Sequence, residues 1–177
     1  YSQNQEDLFI NNYFKEKNNG FYVDIGCYHP IKYSNTALLY DRGWSGINID
    51  MNQTSVDLFN IFRKRDKNIC AAISNKNKKT VMYFDHLFSP INTLDKNFSN
   101  IASKKISFNH HTKKKIYTQK FNEVIHKHNI NIKQIDFINI DVEAHDLEVL
   151  EGIDLSTFNA KMICVEIANN LNNIKDK

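Results

Sequence analysis

The sequence predicts an α/β protein built on a mostly parallel sheet with helices on both faces. Three observations predict it. Short runs rich in Ile, Val, Phe and Tyr alternate with amphipathic stretches, as strand–helix–strand units do. Three of these runs carry an acid at or near their carboxyl ends, namely Asp24, Asp50 and Asp141, and ligands of open parallel sheets bind outside that edge. The length of 177 residues, with 41% hydrophobic and 24% charged, suits one domain over residues 1–177 with a real core.

Residues 1–20 are expected to form a helical cover. Leu8, Phe9, Asn12, Tyr13 and Phe14 suit a short helix whose start is favoured by the acidic pair Glu6-Asp7. The turn Asn18-Asn19-Gly20 leads into a first central strand, Phe21 to Ile25, which stops at Gly26. Ser34-Asn35-Thr36 supply N-caps for a helix over Ala37 to Tyr40, and Gly43 is placed to end it. Trp44 to Asp50 reads as the second strand. Gln53 to Arg65 reads as a helix with Val56, Phe59 and Phe62 at three-residue spacing. Asn68 to Ser74 reads as a third strand and Thr80 to Phe84 as an edge strand.

Residues 85–117 are polar, contain Ser89-Pro90 and the lysines 104–105 and 113–115, and hold no sustained period, so they read as a variable insert of loop character. Phe121, Val124, Ile125 and His128 mark a one-faced helix, and Ile135 to Ile140 a strand closed by Asp141. Leu147, Val149 and Leu150 mark a short helix ending at Gly152, Met162 to Ile167 a last strand, and residues 169–177 a polar cut end.

Several classes are excluded or set aside. No apolar run is long enough to span a bilayer. The N-terminus has no starting Met and no signal-peptide pattern, so the chain reads as trimmed. Cys27, Cys70 and Cys164 lie in or beside apolar runs, as buried thiols of a reducing, cytoplasmic protein do. A net charge of +3 does not by itself imply nucleic acid. A binding module whose lysine-rich insert contacts RNA is the least favoured reading. His110-His111 and His126 with His128 do not read as metal ligands, because i, i+2 positions on a helix do not face one ion.

The chemistry is read from two constellations. Asp50 comes after Asp24 by about one strand–helix–strand unit, where a carboxylate accepts hydrogen bonds from a ribose diol. The loop after Asp24 has Gly26 alone, whereas a pyrophosphate needs the close approach of G-x-G-x-x-G. That disfavours an NAD or nucleotide-sugar oxidoreductase and favours S-adenosylmethionine, whose ammonium a nearby acid meets directly or through water. The second constellation is DVEAHD, residues 141–146. Asp141, Glu143 and His145 alternate and are candidates to orient or deprotonate an acceptor; the same groups suit a divalent cation, although no metal site is predicted.

Together the segments SQNQED (2–7), GFYVDIGCYHP with Ser34-Asn35-Thr36, Leu39-Tyr40 through GWSGINID, and IDFINIDVEAHDLEVLEGID resemble the FkbM-type methyltransferases. These are Rossmann-like enzymes that use S-adenosylmethionine, many on hydroxyls of sugars or natural products. The resemblance implies that Asp24, Gly26, Cys27, Ser34, Asn35, Asp50 and Met51 surround the cofactor, with Met51 beside adenine. It implies that Gln3, Glu6 and Asp7 fold over the site and that Asp141, Glu143 and His145 lie on the acceptor side. Gln5 and Ala144 stand where the family has Gly, a change that affects backbone freedom. It further implies a terminal β-hairpin beyond Glu166, so the C-terminal strands are expected to be missing and the exposed edge to favour pairing, as in a homodimer. The expected reaction is O-methylation of a sugar, surface glycan or related metabolite, with N-methylation of an amine as the alternative.

Overall fold

The computed structural model describes residues 1–87, 89–105, 112–132 and 134–167. A five-stranded, all-parallel sheet has the order β3-β2-β1-β7-β8, built from β1 (Phe21–Ile25), β2 (Ser45–Asp50), β3 (Lys67–Cys70), β7 (Phe137–Ile140) and β8 (Met162–Val165). The chain runs outward from β1 through β2 to β3 and returns to β7 on the other side of β1. The order therefore reverses between β1 and β7, the point at which such sheets open a crevice.

Alternation along the strands sends different chemistry to the two faces. Val23, Ile25, Ile47, Ile49, Ile138 and Ile140 join one core cluster. It is closed by α5 (Phe121–Lys127), α6 (Asp146–Glu151) and α7 (Leu155–Phe158) through Phe121, Val124, Val149 and Phe158. Tyr22 and Phe137 face the other way, with Ile10 of α1 (Glu6–Tyr13), Phe14 just after it, Leu39 of α2 (Ala37–Asp41) and Trp44. This second face is apolar only at the start of the strands. Toward their carboxyl ends it carries Asp24, Asn48 and Asn139, adjacent in register and all buried. Each fully buried large side chain, Phe121 among them, contributes about 1.5–3 kcal/mol relative to an exposed one.

Local signals act at the ends of the helices: Gly43 does so as expected, and Asn52, which the sequence does not single out, does so too. Asn52 caps α3 (Gln53–Phe62) by accepting from the Thr54 amide at 3.2 Å. Gly43, at φ +94°, comes just after α2. Thr36 does occupy the N-cap of α2, but its hydroxyl donates to Asp24 at 2.7 Å instead of capping.

Other expectations need correction. Asn68 to Ser74 is not one strand: after β3 the chain leaves the main sheet and forms β4 (Ala72–Ile73) in a second sheet of order β4-β6-β5. The stretch 85–117 is not loop throughout, because it holds α4 (Lys96–Lys105) and begins β6 (Thr112–Gln119), which pairs antiparallel with β5 (Lys78–Phe84). Lys113, Lys114 and Lys115 are strand residues whose side chains stay exposed, so backbone pairing decides what side-chain pattern does not. Leu8, Phe9, Tyr13, Phe62 and Leu147 are exposed on their helices, and α1 buries Asp7 and Ile10 instead. Helix α7 fills a stretch the sequence leaves unassigned. His110-His111 and the tail 169–177 lie outside the described residues.

Candidate functional site

The crevice is lined by the loops that leave β1, β2 and β7. At the end of β1 the chain turns at Gly26, φ +82°, where an added Cβ would lie 1.7 Å from the Asp141 carbonyl oxygen. Only glycine lets the two loops approach so closely. Tyr28 and Tyr33, in the loop beyond it, also adopt left-handed backbones at φ 49° and 58°. Such conformations persist where the surroundings hold them. Arg63, buried at the end of α3, supplies that hold by donating to Pro30 O, Ser34 Oγ and Thr36 O.

The three strand acids are held differently. Asp24 is 1% exposed; its carboxylate accepts from Thr36 Oγ1 at 2.7 Å and from Asn139 Nδ2 at 2.9 Å, and Asn139 Oδ1 accepts from Asn35 Nδ2 at 2.9 Å. Burial pushes the Asp24 carboxyl up, against those two hydrogen bonds. Asp50 accepts from the Tyr28 and Asn52 amides at 2.9 and 2.7 Å, and burial pushes it to about 6. Asp141 is raised well above the carboxylate range, first by burial, then by the neighbouring Glu166 and Glu143 carboxylates.

Two cavities meet at this edge. The first is lined by Ile49, Met51, Ala71, Ile73 and Leu94 with Asp50 among them, a mostly apolar wall with a single carboxylate, as small-molecule sites have. The second, of about 410 Å³, is polar and lined by Gln3, Asp24, Cys27, Ser34, Asn35 and Asn139. Both touch Gly26, Tyr28, Pro90, Asp141 and Glu143, so together they form one trough with an apolar and a polar end. Residues from the insert roof it: Asn52 donates to Leu87 O at 2.7 Å, and Thr93 Oγ1 donates to Glu143 O at 2.6 Å.

The fold brings most of the singled-out residues to this trough. Gln3, Asp24, Gly26, Cys27, Ser34, Asn35, Asp50, Met51, Asp141, Glu143 and His145 all line it, whereas Glu6 lines a third cavity beside it. Asp7 lines none of these three cavities; its carboxylate accepts from Ser2 Oγ at 2.6 Å and ties down the N-terminal segment. His145 lines only the apolar end. Its Nε2 is hydrogen-bonded to Ser74 Oγ at 3.0 Å, its Nδ1 lies 3.6 Å from Glu148, and burial lowers its pKa. These two contacts hold its ring in the wall of that end. Cys27 is buried with its thiol pushed up, and Cys70 is exposed, contrary to the expectation that all three cysteines are buried.

Two residues matter that the sequence does not single out. Asn139 links Asp24 to Asn35, and Glu166 stands just after β8 as Asp141 stands just after β7. Both carry the signal that marks Asp24 and Asp141, a polar group inside or just after an apolar strand. Asp141, Glu143 and Glu166 bring carboxylate oxygens within 4.8 Å of one another, a spacing that suits a divalent cation or a shared proton.

Residues 24–176 match the family described as the methyltransferase FkbM domain. No curated protein and no solved structure matches the chain.

Proposed function

This chain belongs to the FkbM methyltransferase domain family, and we propose that it transfers a methyl group from S-adenosylmethionine to a hydroxyl of a sugar, surface glycan or related metabolite. The observation that carries this reading is the trough: an apolar cavity with Asp50 in its wall runs into a polar one across a single glycine. That cradle fits a nucleoside joined to a charged amino acid without phosphate. Ile49, Met51 and Ala71 would flank the base, and Asp50 would accept from the ribose hydroxyls while its own oxygens are steadied by the Tyr28 and Asn52 amides. Asn35 and Gln3 would meet the amino acid end. Asp24, satisfied by Thr36 and Asn139, would act through Asn35 and the loop rather than by direct contact.

S-adenosylmethionine supplies a methyl group made electrophilic by its sulfonium sulfur. The chain's own residues hold the acceptor in line and receive its proton, since placement accounts for most of the rate in such a displacement. Glu143, at the junction of the two cavities and with a carboxylate oxygen within 4.8 Å of Asp141 and Glu166, which line the third cavity, would take the proton of the acceptor hydroxyl. Asp141, raised in pKa by burial and then by the Glu166 and Glu143 carboxylates, would share a proton with them there. His145 supports the apolar wall. Free Cys27, Cys70 and Cys164 suit a reducing cytoplasm.

The test is to incubate the protein with tritiated methyl donor and fractionated cell glycans and metabolites. Base-stable label in an uncharged ether supports the reading. Label in a base-labile ester or in an amine, or no transfer to any fraction, contradicts O-methylation.

A further inference from the structure

A third cavity, of about 640 Å³, lies between the N-terminal segment and the end of β8, on the far side of Asp141 from the apolar cavity. It shares Gln3, Tyr33, Asn35, Asn139 and Asp141 with the polar end of the trough, so the two are continuous across the Asn35–Asn139 hydrogen bond. Its remaining wall is Asn4, Glu6, Glu166 and the strand residues Ile140, Cys164 and Val165. Among the described residues, four amide side chains and three carboxyl groups line it, and no lysine or arginine does. Tyr33 contributes an aromatic ring; it is 43% exposed and its backbone is held in the left-handed region.

On the reading that the other two cavities hold the donor, we propose that this third cavity receives the methyl acceptor and takes a hydroxyl-rich molecule that is uncharged or amine-bearing, turning away anionic sugars. The geometry leaves the acceptor this opening. A reacting oxygen must come close to the donor's methyl from outside the donor's own space, and this cavity abuts the polar end of the trough. The walls then set the class. Carboxylates and amide oxygens accept from hydroxyl or ammonium groups, and the Tyr33 ring covers an apolar ring edge. A phosphate or uronate would face Glu6 and Glu166 with no lysine or arginine among the described wall residues to compensate, and specificity commonly rests on such repulsion.

Cys164, half-buried in this wall, is a built-in reporter. In a Cys70→Ser background, which removes the exposed thiol, Cys164 is modified with a trimethylammonium or a sulfonate methanethiosulfonate of similar size. The cationic reagent should react at least about tenfold faster than the anionic one, relative to their rates with free cysteine. Glu6→Gln with Glu166→Gln should bring that ratio close to the free-cysteine value. Parity in the unsubstituted protein, a preference for the sulfonate, or no reaction with either reagent overturns the proposal. The adduct should leave the calorimetric affinity for S-adenosylmethionine within about twofold while stopping methyl transfer. Loss of donor affinity on modification would place the donor in this cavity and overturn the assignment. Absence of donor binding to the unmodified protein would refute the methyl-donor reading instead, and the charge preference of Cys164 still judges the cavity's selectivity.

Discussion

Asp50 and Asp141 end the two strands that flank β1, and both face the same trough, yet they are held in opposite ways. Asp50 sits in a clamp of two backbone amides, which fixes its oxygens before any ligand arrives. Asp141 sits against Glu166 and Glu143, groups that repel it when ionised. The first arrangement suits binding, because pre-set acceptors cost no reorganisation. The second suits handling a proton, because neighbouring carboxyls exchange one readily. On the proposed reading, the donor wall and the acceptor wall are distinguished less by which residues they contain than by what surrounds the carboxylate of each.

Separating the two walls by mutation is the strongest way to sharpen this contrast. Glu143→Gln keeps the shape of the junction and removes the proton acceptor. Its kcat should fall by about 100-fold or more while the affinity for S-adenosylmethionine by calorimetry stays within about twofold. An equal loss in both would mean that Glu143 belongs to the donor wall.

A pH titration of donor affinity gives a smaller effect. Burial raises Asp50 to about 6, and the hydrogen bonds proposed for it need the carboxylate. The affinity should therefore weaken about tenfold on going from pH 7 to pH 5, and Asp50→Asn should be weak at both and flat between them. Stability runs the other way. Asp50 and Asp146, both near 6 when folded and lower when unfolded, cost stability once ionised, so the melting temperature should fall as pH rises from about 4 to 6.

The smallest effect concerns the backbone. Gln5 and Ala144 lie at φ 69° each and Glu143 at 55°, so both places where the resemblance implies a glycine are places where the chain takes a left-handed turn. Ala144→Gly should raise stability by about 1 kcal/mol in a denaturant melt, and Gln5→Gly by a similar amount. A loss of stability would mean that the Ala144 side chain has packing worth more than the strain.

The forces that build each wall decide how legible it is. The strands β1, β2 and β7 are buried on both faces, so their apolar runs and terminal acids stand out, and Phe21 to Ile25 is bounded as observed. The second sheet is legible only in part: Thr80 to Phe84 reads as an edge strand and lies in β5, but β6 reads TKKKIYTQ and is held by its ladder with β5 while its lysines remain in water. The break between β3 and β4 has no sequence mark either: KNIC of β3 runs through Ala71 into the Ala72-Ile73 pair of β4 with no glycine, proline or turn signal between them. Within the site, the acids are legible by type and position, and Glu166 and Asn139 obey the same rule. Arg63 is not, since nothing about an arginine at the end of a helix tells that it folds back to bind Pro30, Ser34 and Thr36.

The most direct measurement is calorimetric binding of S-adenosylmethionine to the protein and to Asp50→Ala, with NAD as the comparison ligand. The account predicts one site for S-adenosylmethionine, a dissociation constant raised about 10- to 100-fold by Asp50→Ala with the melting temperature little changed, and no binding of NAD. Equal affinity in the two proteins, or NAD bound in preference to S-adenosylmethionine, would contradict it.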